Sequence, residues 1–538
     1  MGRGIKAIAW ATLVALLTTS AAVAAPVHIA QGDLTGVTVG AVESFKGIPF
    51  AAPPTGDMRW RAPGPAPVWT DVRAAEAFGP ICMQGRRGPP AAMSEDCLSL
   101  NIWRPAGAKS GDKLPVMVWI YGGAFIFGAG SMPVYDGTHF AEKGLVLVTF
   151  NYRVGRFGFF AHPALDAGKG PIANYGLMDQ IAALKWVKDN AAAFGGDPRN
   201  VTVFGESAGA ISVNYLMVSS TAKGLFAKAI AESGFGRDTP RPLKGERSAE
   251  AIGQAFAEAN GVKGDDAAAA AALRALPADT INAPFTGLGD PAIPNPIMDG
   301  QMLTSGIDQG FAKGAEAHVP YLEGGNSYEA SLFPQVAQFP DPVIARVGDP
   351  AAVKAAYGNR PAPEVAREVL TDTLITEPDR DLARQMARQG VPAFVYHFSY
   401  VPASVRATSF GAAHGSEIAY VFSTLPTQPT TYGGRDIPAA TPDDQKISDA
   451  MHAYWVSFAK TGDPASAAGP AWPRYTEAGD ELVEFGADGV NVRKGFAKAR
   501  LDLIEAAAKA RAQSPTPTAT TPVAPKAAPP SAAKPPQP

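Results

Sequence analysis

Val201-Thr202-Val203-Phe204-Gly205-Glu206-Ser207-Ala208-Gly209-Ala210 decides how the rest of the chain is read. A short apolar strand runs straight into Gly-x-Ser-x-Gly, and an apolar helical run, Ile211–Met217, follows. A serine placed on so tight a strand-to-helix turn is forced into strained backbone geometry, and glycine on either side relieves the crowding. This arrangement presents a hydroxyl for nucleophilic attack, so Ser207 is the candidate nucleophile.

Upstream, Leu177 to Phe194 carries apolar residues at helical spacing and stops at Gly195-Gly196. Before it, 114–121 and 145–150 are continuous apolar runs ending in Gly or Asn. Strands apolar on both faces belong in a sheet covered by helices on both sides. Strand, helix, strand in this order predicts a mostly parallel α/β sheet in one large domain spanning 25–505. The Ala-rich stretch 248–275 and Asp443 to Lys460 also read as helical.

An acyl-transfer serine needs donors for the oxyanion. One is the N–H after the nucleophile, here Ala208, and the others come from a Gly-rich turn after an earlier strand. Tyr121-Gly122-Gly123-Ala124-Phe125 sits at such a turn. Of seven histidines, only His318, His397, His414 and His452 follow Ser207. His397 lies in a strand-like run and His452 in a helical pattern, where structural roles are expected. His414 lies in the Gly-flanked segment Gly411-Ala412-Ala413-His414-Gly415-Ser416-Glu417. For the acid, Glu323 and Glu329 both follow the apolar run Val319–Leu322.

The 538 residues are 46% hydrophobic and 18% charged, which excludes a wholly disordered, collagen-like or membrane-spanning chain. With 47 basic against 50 acidic residues the net charge is −3, offering no global attraction to nucleic acid. The two ends conceal an acidic body. Residues 1–24 hold Arg3 and Lys6 and no acid, and 506–538 hold four basic residues and no acid, leaving 41 against 50, or −9. Arg3 and Lys6, the apolar run 7–17 and Ala22-Val23-Ala24 read as a secretory signal over 1–24. The apolar run is too short to span a bilayer, so no stable membrane insertion is expected. Export to the periplasm or medium follows. The Pro/Ala-rich end, 506–538, is expected to be disordered. In an oxidising compartment Cys82 and Cys97 favour a disulfide, with two buried thiols as the alternative.

Several segments together resemble the type-B carboxylesterase family, which includes cholinesterases and bacterial p-nitrobenzyl esterases, the latter nearest in look. They are Trp119–Phe125, Asn151–Gly155, Phe194–Pro198 and the Gly205–Gly209 elbow, with Phe45–Ala51 and Ser94–Leu98. The resemblance implies an α/β-hydrolase fold with long loop insertions and a Ser207–Glu329–His414 triad. Gly325-Asn326-Ser327-Tyr328-Glu329 looks like the family's acid loop, although Tyr328 and Ala330 depart from it; Glu323 is the reserve. It implies an oxyanion hole of Gly123, Ala124 and Ala208, and a Cys82–Cys97 disulfide. Scaffold ion pairs Arg59–Glu95 and Arg153–Asp179 are implied as well, as is a triad-region role for Ser233. No cofactor and no metal are implied, and the partner is a small-molecule ester. Amide or carbamate hydrolysis, interfacial lipolysis and a non-catalytic adhesion role are the rival functions. Arg237 and Arg241 are expected to be solvated loop residues, with selection of an anionic acid part as the alternative. Oligomeric state is left open by the sequence.

Overall fold

The computed structural model describes residues 22–85, 92–166, 168, 172–428, 430–432, 435–466 and 468–513. Among them runs one sheet whose strands are β1 (Ala22–Val23), β2 (Val37–Val39), β3 (Val42–Pro49), β4 (Ser99–Pro105), β5 (Leu114–Ile120), β6 (Val146–Phe150), β7 (Gly196–Glu206), β8 (Lys228–Glu232), β9 (Tyr321–Asn326), β10 (Ala393–Phe398), β11 (Glu481–Gly486) and β12 (Gly489–Lys494). Their spatial order is β1-β2-β3-β4-β6-β5-β7-β8-β9-β10-β11-β12. From β6 to β11 every neighbour is parallel, while β1 to β4 and β12 add antiparallel edges.

The parallel block is where the apolar runs fall, and for the reason the pattern suggested. Every residue of β6, β8, β9 and β10 is buried, so both sheet faces are covered. The covering helices include α1 (Tyr175–Asn190), α2 (Ala208–Val218), α6 (Glu377–Arg388) and α7 (Pro442–Thr461). The Ala-rich stretch forms two helices rather than one, α3 (Ala249–Ala259) and α4 (Ala267–Ala275). Asp266 divides them by accepting the Ala269 N–H at 3.0 Å, an N-cap that starts a new helix. Between them and α6 lies α5 (Ala362–Thr371).

The expected boundary at 505 falls inside a helix, so residues 506–513 are helical rather than part of a disordered end. The last helix, α8 (Lys498–Gln513), continues eight residues further. Alanines at 506–508 and 510 favour helix, and Glu505 takes the Lys509 ammonium at 2.5 Å one turn on. Residues 1–21 of the expected signal and 514–538 of the expected tail lie outside the described residues. Ala22–Val23 pairs with Val37 and Thr38, and Ala24 is buried.

The Cys82–Cys97 disulfide is present. In the chain-entropy model a loop of this size is worth about 3 kcal/mol. Arg59 grips Glu95 through Nε and Nη2 at 2.7 and 2.5 Å, and Arg153 grips Asp179 at 2.8 and 2.7 Å. Both pairs are the ones the resemblance implied.

Candidate active site

Three parallel strands, β5, β7 and β9, deliver their carboxyl ends to one place, the usual site of ligand chemistry in an open α/β sheet. At the end of β7 Ser207 takes φ 57° and ψ −124°, the strained turn anticipated from Gly-x-Ser-x-Gly. Glycine is compulsory around it. A Cβ on Gly209 would stand 1.9 Å from the Ile120 carbonyl oxygen, and one on Gly205 would stand 2.6 Å from the same atom. At the end of β5, Gly122 faces the elbow, since a Cβ there would meet the Ser207 Cβ at 2.9 Å. Next in the chain, Gly123, Ala124 and Phe125 all have left-handed backbone, with φ 110°, 53° and 61°. For Ala124 and Phe125 this is strain of order 1–3 kcal/mol, held by the surrounding structure. Among the described residues, no acceptor takes the N–H of Gly123, Ala124 or Ala208.

β9 leads into the segment carrying Glu329, whose carboxylate is fully buried. Its Oε2 lies 2.5 Å from His414 Nδ1, and its Oε1 accepts the Ser233 hydroxyl at 2.5 Å and the Asn326 N–H at 2.7 Å. The structure therefore brings Glu329 to His414. Glu323 instead sits within β9 beside Asp379, and burial plus that second carboxylate push its pKa well above the usual range. Four further hydrogen bonds sew the acid loop to the histidine loop. Tyr328 N–H donates to the Ala412 carbonyl and Asn326 Nδ2 to the Ala413 carbonyl. Ala412 N–H donates to Ser327 Oγ and His414 N–H to Ser331 Oγ.

His414 Nε2 does not hydrogen-bond Ser207 here. It lies 3.1 Å from Glu206 Oε1, the residue just before the serine. In an unliganded site the base–nucleophile contact is commonly loose and closes only around substrate. Electrostatics explains the preference. Burial alone would lower the histidine's pKa, but Glu206, Glu329 and Glu417 outweigh it and raise it to about 10. Burial in turn lifts Glu206 to about 7, with Glu329 adding to it and His414 opposing, and lifts Glu417 to about 8. Neighbouring groups this close titrate as a unit, so a proton resting on Glu206 makes His414 less basic. Glu206 and Glu417 lie inside the Gly205–Gly209 and Gly411–Glu417 segments, whose sequence assigns neither of them a role. Asn326 Nδ2 donates to Glu417 at 2.5 Å and fixes it behind the histidine loop.

Two other histidines after Ser207 are structural. His397 lies within β10, and His452 Nδ1 bonds the Val421 carbonyl at 2.8 Å from within α7. Arg237 corrects an expectation. It is no solvated loop residue, because Glu377 clamps it at 2.8 and 2.6 Å, with Asp381 and Asp308 at 3.4 and 3.5 Å. Arg241 is half-buried and donates to the Ile293 carbonyl at 3.3 Å.

A seven-strand parallel block with a strained serine at a strand-to-helix elbow defines an α/β-hydrolase. Within that class the chain belongs to the carboxylesterase family, whose model matches residues 23–343 and 359–504. It is 38% identical over 511 residues to a fumonisin B1 esterase of Sphingopyxis macrogoltabida, covering 90% of this chain and 92% of that one. It is 36% identical over 480 residues to a para-nitrobenzyl esterase of Bacillus subtilis, covering 84% and 93%. Among solved structures, a PNB esterase superposes with a TM-score of 0.75 at 33% identity, covering 89% of this chain and 99% of that one. A Geobacillus stearothermophilus carboxylesterase superposes with a TM-score of 0.76 at 34% identity, covering 88% and 99%. The protein is thus an enzyme, a carboxylesterase acting on small-molecule esters. Among the described residues no helix is long and apolar enough to cross a membrane.

Proposed function

We propose that the protein hydrolyses carboxylic esters through a Ser207–Glu329–His414 triad and an acyl-enzyme intermediate. The observation carrying this reading is the buried Glu329 carboxylate, 2.5 Å from His414 Nδ1 and anchored by Ser233 and Asn326. Glu329 selects the tautomer and stabilises the charged ring, leaving Nε2 for the nucleophile. When a substrate enters, Nε2 leaves Glu206 for Ser207 Oγ and takes its proton as the oxygen attacks the ester carbonyl. The negative oxygen settles against the N–H groups of Gly123, Ala124 and Ala208, each such donor being worth about 3–4 kcal/mol of barrier. His414 returns the proton to the departing alcohol, then activates water to release the acid.

The Sphingopyxis macrogoltabida and Bacillus subtilis relatives are named for different esters, so the reading stays at the level of the ester bond. The basic residues Arg3 and Lys6 before an apolar run support export. Ser207→Ala tests the assignment: p-nitrophenyl butyrate turnover should fall by about 10⁵-fold or more with the unfolding midpoint retained. Activity that survives the substitution would end this reading.

A further inference from the structure

Beside the oxyanion turn, Phe125 packs edge-on against Phe159 with ring centroids 5.0 Å apart, and its carbonyl accepts the Gly155 N–H at 2.6 Å. The chain continues through Arg156 and Phe160. With Arg241, Phe256, Ile293 and Ile297 these residues line a cleft open to solvent, whose enclosed part measures about 30 Å³. That is room for about two waters, or for the two oxygens of one carboxylate.

The two arginines are the unusual feature. Several arginines hold an acid, Arg59 with Glu95, Arg104 with Glu43, Arg153 with Asp179, Arg237 with Glu377 and Arg384 with Glu505, whereas half-buried Arg274, among the described residues, bonds only the Arg59 carbonyl. Arg156 instead donates only to the carbonyls of Ile281 and Ala283, at 3.2 and 2.8 Å, and Arg241 only to the Ile293 carbonyl. Among the described residues neither guanidinium forms an ion pair. Asp290 stands near enough to steady Arg156, but its oxygens are taken by the N–H groups of Thr286 and Ala292 and by the Thr286 hydroxyl. Burial lowers the pKa of both arginines. A guanidinium partly withdrawn from water with no acid in hydrogen-bond contact, as Arg241 is and as Arg156 is beyond its Asp290 neighbour and the Phe285 ring 4.3 Å away, is stabilised by an incoming anion. The walls specify the rest of the ligand. The Arg156 guanidinium lies 5.0 Å over the Phe256 ring, and Phe256 meets Phe160 edge-on at 5.7 Å.

We propose that this cleft is a second binding site, separate from Ser207, for a small organic carboxylate with an aromatic body. The carboxylate meets Arg156 and Arg241, and the ring lies against Phe160 and Phe256.

The test is a ¹⁹F NMR titration of 4-fluorobenzoate into the full-length enzyme with Ser207 capped by a phosphonate, the cap being verified by mass. Saturable binding to the capped enzyme is expected. R241Q, which gives up one carbonyl contact, should weaken it at least tenfold, and R156Q/R241Q should abolish it. Both variants should keep wild-type p-nitrophenyl butyrate turnover before capping, which shows that they fold. Three results overturn the proposal: no saturable binding up to about 10 mM, binding lost on capping, or binding equal in the double variant. An enzyme that takes up no phosphonate speaks against the triad instead, and the arginine variants are then compared on uncapped protein.

Discussion

Two buried clusters of carboxylates meet opposite fates in this molecule. Around His414, Glu206 and Glu417 have no arginine partner among the described residues and are pushed up to about 7 and about 8, chiefly by burial. Between α6 and α8, Glu505 is also largely covered, yet it is held down at about 2. There burial is outweighed by hydrogen bonds from Arg384 at 2.6 and 3.0 Å and from Lys509, and Arg380 adds a contact at 2.9 Å. The side-chain type is the same, but Glu505 is less deeply enclosed than Glu206 or Glu417, and its counter-charges add to that difference. The α6–α8 seam is saturated with guanidinium and its carboxylate stays ionised, which suits a clamp. The His414 cluster is held by hydroxyl and amide donors, and its protons stay close to neutral pH, which suits proton transfer.

Glu329→Gln would break the contrast most severely, since an amide cannot keep the tautomer and charge that His414 needs. A fall of about 10⁴-fold in kcat is expected, read by p-nitrophenyl ester kinetics, with little change in folding. In the seam, Glu505→Gln should act the other way. Stability falls by about 2 kcal/mol in urea unfolding, because Arg384 loses its close acid while Arg380 keeps Asp502, and kcat is unchanged. The Glu505 pKa lies below its unfolded value. Its contribution is therefore complete above about pH 4.5 and is lost as pH falls through about 2.

Ser233→Ala probes the weaker grip of the catalytic floor by removing one hydroxyl donor to Glu329. About a tenfold loss in kcat with nearly unaltered KM is expected, the worth of one hydrogen bond to a charged group. Smallest in rate but most diagnostic is Glu206→Gln. His414 must be neutral to accept the serine's proton, so activity rises as pH rises through the pKa of the free enzyme's histidine. Removing the Glu206 charge lowers that pKa, and the acid limb of kcat/KM should move down by about one unit or more. An unmoved limb would show that Glu206 does not govern the base.

Much of this was legible in advance for local reasons. Ser207, Gly205 and Gly209 are set by a turn only glycine can flank, and the apolar runs of β5, β6 and β7 can exist only in a covered sheet. The Gly-rich turn at 122–124 is legible because Gly122-Gly123 follows a strand. Glu329 was harder, because Glu323 lies just six residues earlier and either would satisfy chain order. Arg237 was misjudged for the same reason: nothing near it in sequence shows that Glu377, 140 residues away, will meet it. That residues 506–513 continue a helix is hidden in the sequence because alanine is at home both in a helix and in a low-complexity end.

The sequence by itself determined the class of the protein: a parallel α/β sheet, a serine on a strained elbow, and a histidine in a Gly-flanked loop. These depend on backbone limits and hydrophobic period, which act over a few residues. The tertiary structure decided which acid meets the histidine, which carboxylates keep their protons, and which arginines are left without an acid. Those outcomes depend on distances between segments far apart in the chain and on the water excluded between them, and charge at short range in a dry interior is governed by both.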